Sequence, residues 1–496
     1  MHRRPLSFAA ALALLAITAP VLCAQPAAPP KTWVDKDTGH RVWRLSDEPN
    51  SGGFYFNINA YTPDNKQMVY TAPDGIHVLD MATLKTKLLV ANPPQTANAA
   101  GGRAGGVLHT MVVGHKTNSV FYTSTNAAGV TSVYKADTNT GAVTKLVEVP
   151  KLPNTSNLSV VSVNADETLV AGTYQEGAPT GKEYGAAAAP APSQPGAAAG
   201  AAGNGDNRVA SAAQGPHFQP ANKGQMMQTR LAARIPLVLF TLRLTPGPNG
   251  EKAGDLKPLL HSTDWVNHLL FSPSDPTLLM YCHEGPWQKV DRIWMIHTDA
   301  THNTLIHHRR IANEIAGHEF WGLDGQTIWY DWQPVKGQDF YLAGYNLSNG
   351  VRTAYHMERN DWSIHFNLTK DLDIFTGDGG DPGQVAKAPD GEWIELFHPT
   401  LIRVDGLNDP DFFQPGFFNS EHLVNMSAHN YREEPNVRFS PDKKLVLFTA
   451  NMFGPSYVFG VETAKAVNPD PAEVLSTPQI ARKFAAAHPP AATPTP

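Results

Sequence analysis

A tight turn recurs along most of the chain at intervals of about fifty residues, and each turn lies between two apolar segments. A period of this length is typical of β-propellers, whose blades are small sheets of about four strands. Seven such units predict an all-β protein with the fold of a seven-bladed β-propeller, and a pair of β-sandwich domains is the alternative. The turn residues are Asp64, Lys116, Asp166, Ser274, Asp324, Asp371 and Asp442.

Two intervals between turns are longer than the others. The interval from Asp166 to Ser274 contains an Ala/Gly/Pro-rich segment, residues 177–223, which lacks the apolar residues needed for a core and is predicted to be a disordered loop. The interval from Asp371 to Asp442 predicts a smaller insertion within residues 378–414. Without these insertions, both intervals approach the common period.

The ends of the propeller are also predicted from the pattern. Residues 35–45 precede the first turn and are expected to supply the strand that closes the ring against the last blade. The propeller domain is predicted to span residues 25–469, and residues 470–496 are predicted to form a flexible tail.

The first residues have the layout of a secretory signal peptide. A basic start, His2-Arg3-Arg4, is followed by an apolar run and then by small residues, with a predicted cleavage after Ala24. An uncleaved anchoring helix is the alternative. Cleavage leaves Cys282 as the single cysteine, which favours a periplasmic or secreted protein without an internal disulfide.

The charge of the mature chain excludes some partners. Removal of residues 1–24 takes two of the 39 basic residues with it and leaves all 45 acidic ones, a net charge of about −8. We therefore expect no binding to nucleic acid and, after removal of the signal, none to a membrane. Sequence patterns for a serine hydrolase elbow, a P-loop, a Cys-x-x-Cys pair and a dinucleotide-binding turn are absent from the chain.

Histidines recur at one position of the repeating unit. Six residues before the turn residue, the last four units carry His268, His318, His365 and Asn436. Because equivalent positions of neighbouring blades lie side by side, these residues are predicted to line the central channel. The alternative is that they only hydrogen-bond adjacent blades. Further candidate residues lie close to them in sequence: His283, Glu284, Trp287, Arg292, Trp321, His429 and Glu434.

These groups suit two kinds of chemistry. Imidazoles, carboxylates and an arginine on one channel provide the parts for acid–base catalysis or for a metal site with nitrogen and oxygen ligands. Aromatic side chains beside them provide stacking faces for sugars. From this pattern we predict that His268, His283, Glu284, Trp287 and Trp321 contribute to substrate binding.

Several short motifs lie at characteristic places of the chain. They are Trp33-Val34-Asp35, the segment 38–45, Cys282-His283-Glu284-Gly285-Pro286, His318-Glu319-Phe320-Trp321, Gly377-Asp378-Gly379 and Phe439-Ser440-Pro441-Asp442. Together they resemble the motifs of the oligogalacturonate lyase family of polysaccharide lyases. The resemblance covers nearly the whole mature chain except the Ala/Gly/Pro-rich segment and the tail, and its most specific part is the pair of His-Glu motifs.

The resemblance implies an activity. Enzymes of this family are seven-bladed propellers that cleave unsaturated digalacturonate and short pectic oligomers by β-elimination, usually with bound manganese. By resemblance, His318 is the catalytic base and Arg292 the residue that binds the substrate carboxylate. The chain is thus expected to act on oligogalacturonate or a related uronate oligosaccharide. The alternatives are a non-catalytic sugar- or partner-binding propeller and another propeller enzyme.

The implied metal site departs from the family pattern. His365 matches the family's first metal ligand, but the family's Gln-x-x-His-x-His reads Tyr431-x-x-Glu434-x-Asn436 in this chain. Glu434 and Asn436 offer oxygen atoms to a hard divalent ion, and His429 is expected to replace a lost nitrogen. The resemblance therefore implies a divalent metal, Mn²⁺ in the family, held by His365, His429, Glu434 and Asn436.

Overall fold

The structure is a computed structural model that describes residues 29–93, 96–97, 103–104, 108–182, 223–380, 388–404 and 411–487. Short strands follow one another along the chain, and most pair with the next strand in antiparallel fashion. The strands of the first half are β1 (Thr32–Asp35), β2 (His40–Arg44), β3 (Gln67–Ala72), β4 (Gly75–Asp80), β5 (Thr86–Ala91), β6 (Thr96–Ala97), β7 (Arg103–Ala104), β8 (His109–Val113), β9 (Ser119–Thr125), β10 (Thr131–Asp137), β11 (Val143–Glu148), β12 (Thr155–Val163), β13 (Leu169–Glu176), β14 (Leu237–Arg243) and β15 (Leu256–Ser262).

The second half continues the pattern and adds a long hairpin and two helices, α1 (Lys223–Ala233) and α2 (Thr477–Ala487). Two 3-10 turns cover Arg359–Asp361 and Pro471–Glu473. The strands are β16 (Trp265–Phe271), β17 (Leu278–Glu284), β18 (Ile293–His297), β19 (Thr304–Leu305), β20 (Ile315–Trp321), β21 (Thr327–Gln333), β22 (Tyr341–Asn346), β23 (Arg352–His356), β24 (Asn367–Leu368), β25 (Phe375–Gly377), β26 (Trp393–Leu401), β27 (Phe413–Asn425), β28 (Arg438–Phe439), β29 (Leu445–Ala450), β30 (Tyr457–Lys465) and β31 (Val474–Leu475).

Within the described residues these strands form seven blades, which confirms the predicted all-β class and seven-bladed propeller. Blade one consists of β3–β5, blade two of β8–β11 and blade three of β12–β15. Blade four consists of β16–β19, blade five of β20–β23 and blade six of β24–β27. Blade seven contains β28–β30 together with β2. Apolar residues from adjacent blades pack face to face; one such core joins blades three and four through Leu239 and Phe271.

The ring is closed by the N-terminal segment, as predicted. β2 pairs with β30 in antiparallel register, with Val42 opposite Val461. β1 follows β2 in the same sheet, and β31 pairs with β1 in parallel at the edge. The last blade therefore contains strands from both ends of the chain, so that the ends hold each other in place.

The C-terminal segment differs from the predicted flexible tail. Residues 471–487 contain a 3-10 turn, β31 and α2, and α2 buries Ala481 against the core of the last blade. Pro478 stands near the start of α2 and is followed by several alanines, a composition that favours a helix. Residues 488–496, the signal segment 1–24 and most of the segment 177–223 lie outside the described residues.

The insertion predicted within residues 378–414 also differs from the structure. β26 lies in this segment and is the third strand of blade six, so the longer interval reflects an extended hairpin with β27. The start of β27 pairs in parallel with β23, which joins blades five and six into one sheet. Within the described residues, no helix combines the length and the apolar character needed to cross a bilayer.

A short segment fills the centre of the ring. Phe54, Tyr55 and Phe56 are buried, and Ile58 packs against the cores of several blades. Arg438 holds this segment by donating hydrogen bonds to the carbonyl oxygens of Phe54, Tyr55 and Ile58. The segment therefore places Tyr55 and Phe56 beside the channel histidines.

Candidate active site

The residues predicted to share one register adopt the same unusual backbone conformation. His268, His318, His365 and Asn436 have φ angles of 48°, 48°, 51° and 56°. The pairing of the first two strands shifts register at His268 in blade four and at His318 in blade five. Left-handed backbone at residues other than glycine costs about 1–3 kcal/mol and clusters at functional sites. The four blades thus present equivalent residues at one level of the channel.

His318 forms a dyad with a buried carboxylate. Its Nδ1 lies 2.5 Å from Oδ2 of Asp331 on β21. The His318 side chain is 14% exposed and that of Asp331 only 3%. Burial, together with the charges of Asp378 and Glu319, raises the pKa of Asp331 well above its usual range. The Asp331 bond uses Nδ1, so a proton transferred to His318 is accepted at Nε2.

His365 forms a second dyad next to the first. Its Nδ1 lies 2.8 Å from Oδ2 of Asp378, and its ring centre lies 4.7 Å from that of His318. The other ring nitrogen, Nε2, lies 3.2 Å from the hydroxyl of Tyr55 and 3.8 Å from Oε2 of Glu434. Burial raises the pKa of Asp378 to about 6, although His365 opposes that effect.

A third carboxylate joins His268 and Arg292. Oε2 of Glu284 lies 3.2 Å from Nε2 of His268, and Arg292 donates to both Glu284 oxygens at 2.8 and 3.3 Å. Burial alone would raise the pKa of Glu284, but Arg292 and His268 outweigh it and hold that pKa well below its usual range. Glu284 is therefore a carboxylate that fixes a guanidinium and an imidazole at the channel.

Trp287 connects Arg292 with His318. The guanidinium of Arg292 lies 4.4 Å from the Trp287 ring centre, and the Trp287 ring meets the His318 ring edge-on at 4.9 Å. Gly317 makes this approach possible, because a Cβ at that position would lie 2.6 Å from two ring carbons of Trp287. The glycine before His318 is therefore required by packing.

Seven of the predicted site residues lie together around the channel. They provide three imidazoles, two carboxylates, a guanidinium and an indole ring: His268, His318, His365, Glu284, Glu434, Arg292 and Trp287.

Four predicted residues are engaged elsewhere. Nε2 of His283 lies 3.4 Å from Oδ1 of Asp264, and Trp321 donates to the carbonyl of Leu270 in the neighbouring blade. The two ring nitrogens of His429 contact the Glu433 carbonyl and the Asn451 amide. The Asn436 amide accepts from the Phe56 backbone and donates to the Glu434 carbonyl.

The structure adds site residues that the sequence reasoning missed. Asp331 and Asp378 each follow their histidine by thirteen residues, a repeated spacing that was available as a signal in the sequence. Tyr55 carries no such signal, since it comes from the segment before blade one and reaches His365 only through the closure of the ring.

Two of the four predicted metal ligands converge. Nε2 of His365 faces Glu434, whereas the side chains of His429 and Asn436 are already hydrogen-bonded to backbone groups. Oδ1 of Asp378 is buried and has no hydrogen-bond partner among the described residues. Nε2 of His365 and the Glu434 carboxylate therefore fit a hard divalent ion, and Asp378 holds the opposite side of the His365 ring through Nδ1.

Comparison with known proteins agrees with this geometry. The sequence model of the oligogalacturonate lyase family matches residues 249–467, which carry all the channel residues except Tyr55 and Phe56. Over these residues the chain is similar to the oligogalacturonate lyase family. This confirms the resemblance seen in the sequence motifs.

Named relatives support the same family. An oligogalacturonide lyase from Pectobacterium atrosepticum is 27% identical over 223 residues, covering 40% of this chain and 50% of the relative. An oligogalacturonate lyase from Dickeya dadantii is 26% identical over 210 residues, covering 41% of this chain and 51% of the relative. The matched region spans about half the length of these curated relatives.

Solved oligogalacturonate lyases share the fold. One, in complex with manganese, superposes with a TM-score of 0.59 at 18% identity and covers 88% of this chain and 96% of the other. Another, from Vibrio parahaemolyticus, gives a TM-score of 0.58 at 17% identity and covers the same shares. At this identity the likeness shows the propeller fold.

Proposed function

We propose that this protein is an exported lyase that cleaves short, unsaturated uronate oligosaccharides by β-elimination, with oligogalacturonate as the expected substrate. The His318–Asp331 dyad carries the proposal, because it is a partly exposed imidazole held by a buried carboxylate at the channel. The match of residues 249–467 to the oligogalacturonate lyase family and the neighbouring guanidinium of Arg292 support it.

The reaction needs a base at one point of the sugar. In β-elimination the proton on C5 of the uronate is removed, a double bond forms between C4 and C5, and the oxygen on C4 leaves. In our proposal Nε2 of His318 takes the C5 proton, and Asp331 fixes the ring through Nδ1. The edge of Trp287 limits where the His318 ring can lie.

Positive charge near the uronate carboxylate makes the C5 proton acidic. We assign this role to Arg292 and to a divalent metal ion, Mn²⁺ in the related manganese complex. When bound, such an ion supplies a Lewis-acidic charge next to the carboxylate. His365 and Glu434 are the residues proposed to hold it, and Asp378 fixes the His365 ring through Nδ1.

We also propose that the protein is periplasmic or secreted and takes part in pectin breakdown. The basic start, the apolar run and the predicted cleavage after Ala24 support export. The single mature cysteine, Cys282, is buried, which suits a protein that matures without a disulfide.

A non-catalytic uronate-binding propeller is the second candidate. Both terminal nitrogens of Arg292 donate hydrogen bonds to Glu284, and the side-chain amide of Asn436 is hydrogen-bonded to backbone groups. In that case the channel binds a uronate without turnover. The substituted metal-ligand positions, Glu434 and Asn436, would then not need to hold a metal ion.

One assay separates the two functions. The full mature chain is incubated with digalacturonate and with its unsaturated form, with and without added Mn²⁺, and the unsaturated uronate product is followed by ultraviolet absorbance. We expect turnover that depends on the metal. If calorimetry shows that a uronate oligomer binds but no unsaturated product forms from any of them, the protein is a uronate-binding propeller and not a lyase.

Two histidine variants then test the division of roles. His318→Ala is expected to lower kcat by about 10²–10⁴-fold without changing metal content, because it removes only the base. His365→Ala is expected to lower bound metal, and excess Mn²⁺ should recover part of the lost rate by mass action. If His318→Ala turns over normally, the base lies elsewhere.

A further inference from the structure

A second group of metal-ligating side chains lies in blade six, apart from the channel histidines. Asp361 comes from the 3-10 turn before the blade, Glu395 from β26 and His422 from β27. One ligand atom from each lies within 4.8 Å of the other two. Nε2 of His422 is 3.3 Å from Oε1 of Glu395 and 4.0 Å from Oδ1 of Asp361.

Glu395 is the unusual member of this group. The residue is fully buried, and neither carboxylate oxygen has a hydrogen-bond partner among the described residues. Asp361 and Asp390 are the charged groups that act on it, and both are negative. A buried carboxylate beside two other carboxylates is strongly destabilising unless a cation compensates it.

The fold brings these residues together at one place. Glu395 and His422 are opposite each other in the antiparallel pair of β26 and β27, so both side chains leave the same face of the hairpin. Trp393 stacks on the His422 ring, with ring centres 4.3 Å apart and planes 11° apart. Ser420 donates a hydrogen bond to the second oxygen of Asp361.

The group is accessible from one side. The side chains of His422 and Asp361 are 34% and 20% exposed, whereas Glu395 forms the buried floor. An ion can therefore enter from solvent, contact three protein ligands and keep water at its remaining positions. An imidazole nitrogen with two carboxylate oxygens is a ligand set that suits Zn²⁺ and similar divalent transition metals.

We propose that Asp361, Glu395 and His422 bind one divalent transition-metal ion of the zinc class, separate from the channel site. The ion connects the turn that leads into blade six with the outer hairpin of the same blade, so its role is structural. The blade-six site and the channel site have different charged neighbours. Asp361 and Asp390 act on Glu395 in the first, whereas His365 and Glu434 act on Asp378 in the second.

Zn²⁺ binding in a background without the channel ligand tests the proposal. The full chain carrying His365→Ala is stripped with a chelator and dialysed against Zn²⁺, and bound metal is counted by elemental analysis. We expect one Zn²⁺ per chain, which is lost when Glu395→Gln or His422→Ala is added. His398→Ala is the matched control, since His398 is a half-exposed imidazole on β26, and it should retain the ion.

A stability measurement guards against misfolded variants. Without metal, the protein with Glu395→Gln should have a Tm equal to or above that of its parent, because a neutral amide replaces an uncompensated buried carboxylate. Zn²⁺ should raise the Tm of the parent and not that of Glu395→Gln. The proposal is overturned if the His365→Ala protein binds no Zn²⁺, or if Glu395→Gln and His422→Ala proteins bind as much as their parent.

Discussion

Carboxylates fix the imidazoles that line the channel. His318 and His365 each bond an aspartate through Nδ1, and His268 bonds Glu284 through Nε2. A fixed tautomer and ring direction are what a general base or a metal-binding histidine requires. At the residue scale, the carboxylate bound to one ring nitrogen therefore decides which nitrogen of each histidine is left to take a proton or bind a metal ion.

The ion pair of Arg292 with Glu284 leads to a stability prediction. Arg292→Met should lower the free energy of unfolding by about 3 kcal/mol, because it leaves the buried Glu284 charge without its main partner. Adding Glu284→Gln should recover part of the loss, since the uncompensated charge is gone. Urea unfolding of both variants measures this. A double variant less stable than the single one would contradict the prediction.

His429 leads to a prediction about pH. Burial lowers its pKa from 6.5 to about 4, so the unfolded chain binds a proton more readily than the folded one. The stability linked to His429 is present above pH 6.5 and is lost as the pH falls toward 4, by up to about 3 kcal/mol. Asp378, with its raised pKa, acts in the opposite direction in part of this range.

Comparing the pH dependence of Tm between the unchanged protein and a His429→Gln variant isolates the effect of His429. His429→Gln keeps one donor and one acceptor and does not titrate. Its Tm should therefore decline less than that of the unchanged protein between pH 6.5 and 4, measured by calorimetry. Parallel pH profiles for the two proteins would show that His429 is not the responsible group.

At the scale of elements, the segment 54–58 joins the centre of the ring to the active site. It carries Tyr55 to His365 and Phe56 to Asn436. Arg438 holds the segment through three backbone carbonyl groups, and burial lowers the pKa of Arg438 to about 10. One buried guanidinium thus positions residues that the repeating pattern does not specify.

Arg438→Met tests this role. The change removes the three hydrogen bonds that Arg438 donates to the carbonyls of residues 54, 55 and 58, and it should lower the free energy of unfolding by about 3 kcal/mol. Arg432→Met is the control, because Arg432 lies nearby in the chain but is exposed. Urea unfolding measures both, and equal losses would mean that the three hydrogen bonds contribute little.

At the scale of the whole molecule, both ends of the chain meet in blade seven. Thr477 is fully buried at the start of α2 and links two residues of β1. Its hydroxyl accepts from Nε1 of Trp33 at 2.8 Å and donates to Oδ2 of Asp35 at 2.6 Å. The closure of the ring therefore depends on polar groups as well as on strand pairing.

Thr477→Val removes this link with little change in volume. We expect a loss of about 2 kcal/mol in the free energy of unfolding, because Trp33 and Asp35 remain buried with one partner fewer. Gln479→Ala, an exposed position of the same helix, should change stability by less than about 0.5 kcal/mol. Thermal unfolding compares the two. Similar Tm values would contradict a role of Thr477 in closure.

The number of blades and the position of the channel histidines could be predicted from the sequence alone, because both follow from a locally repeated pattern. The period of the turns specified seven blades, because each blade is a local unit whose strands pair with their neighbours in the chain. The common position of His268, His318 and His365 placed them at the channel for the same reason. The thirteen-residue spacing of His318 to Asp331 and of His365 to Asp378 is equally local.

Only the tertiary structure decided contacts between parts of the chain that lie far apart. Tyr55 reaches His365, and Thr477 reaches Asp35, only once the ring is closed. Side-chain partners across blades follow from packing in three dimensions, which a one-dimensional repeat does not encode.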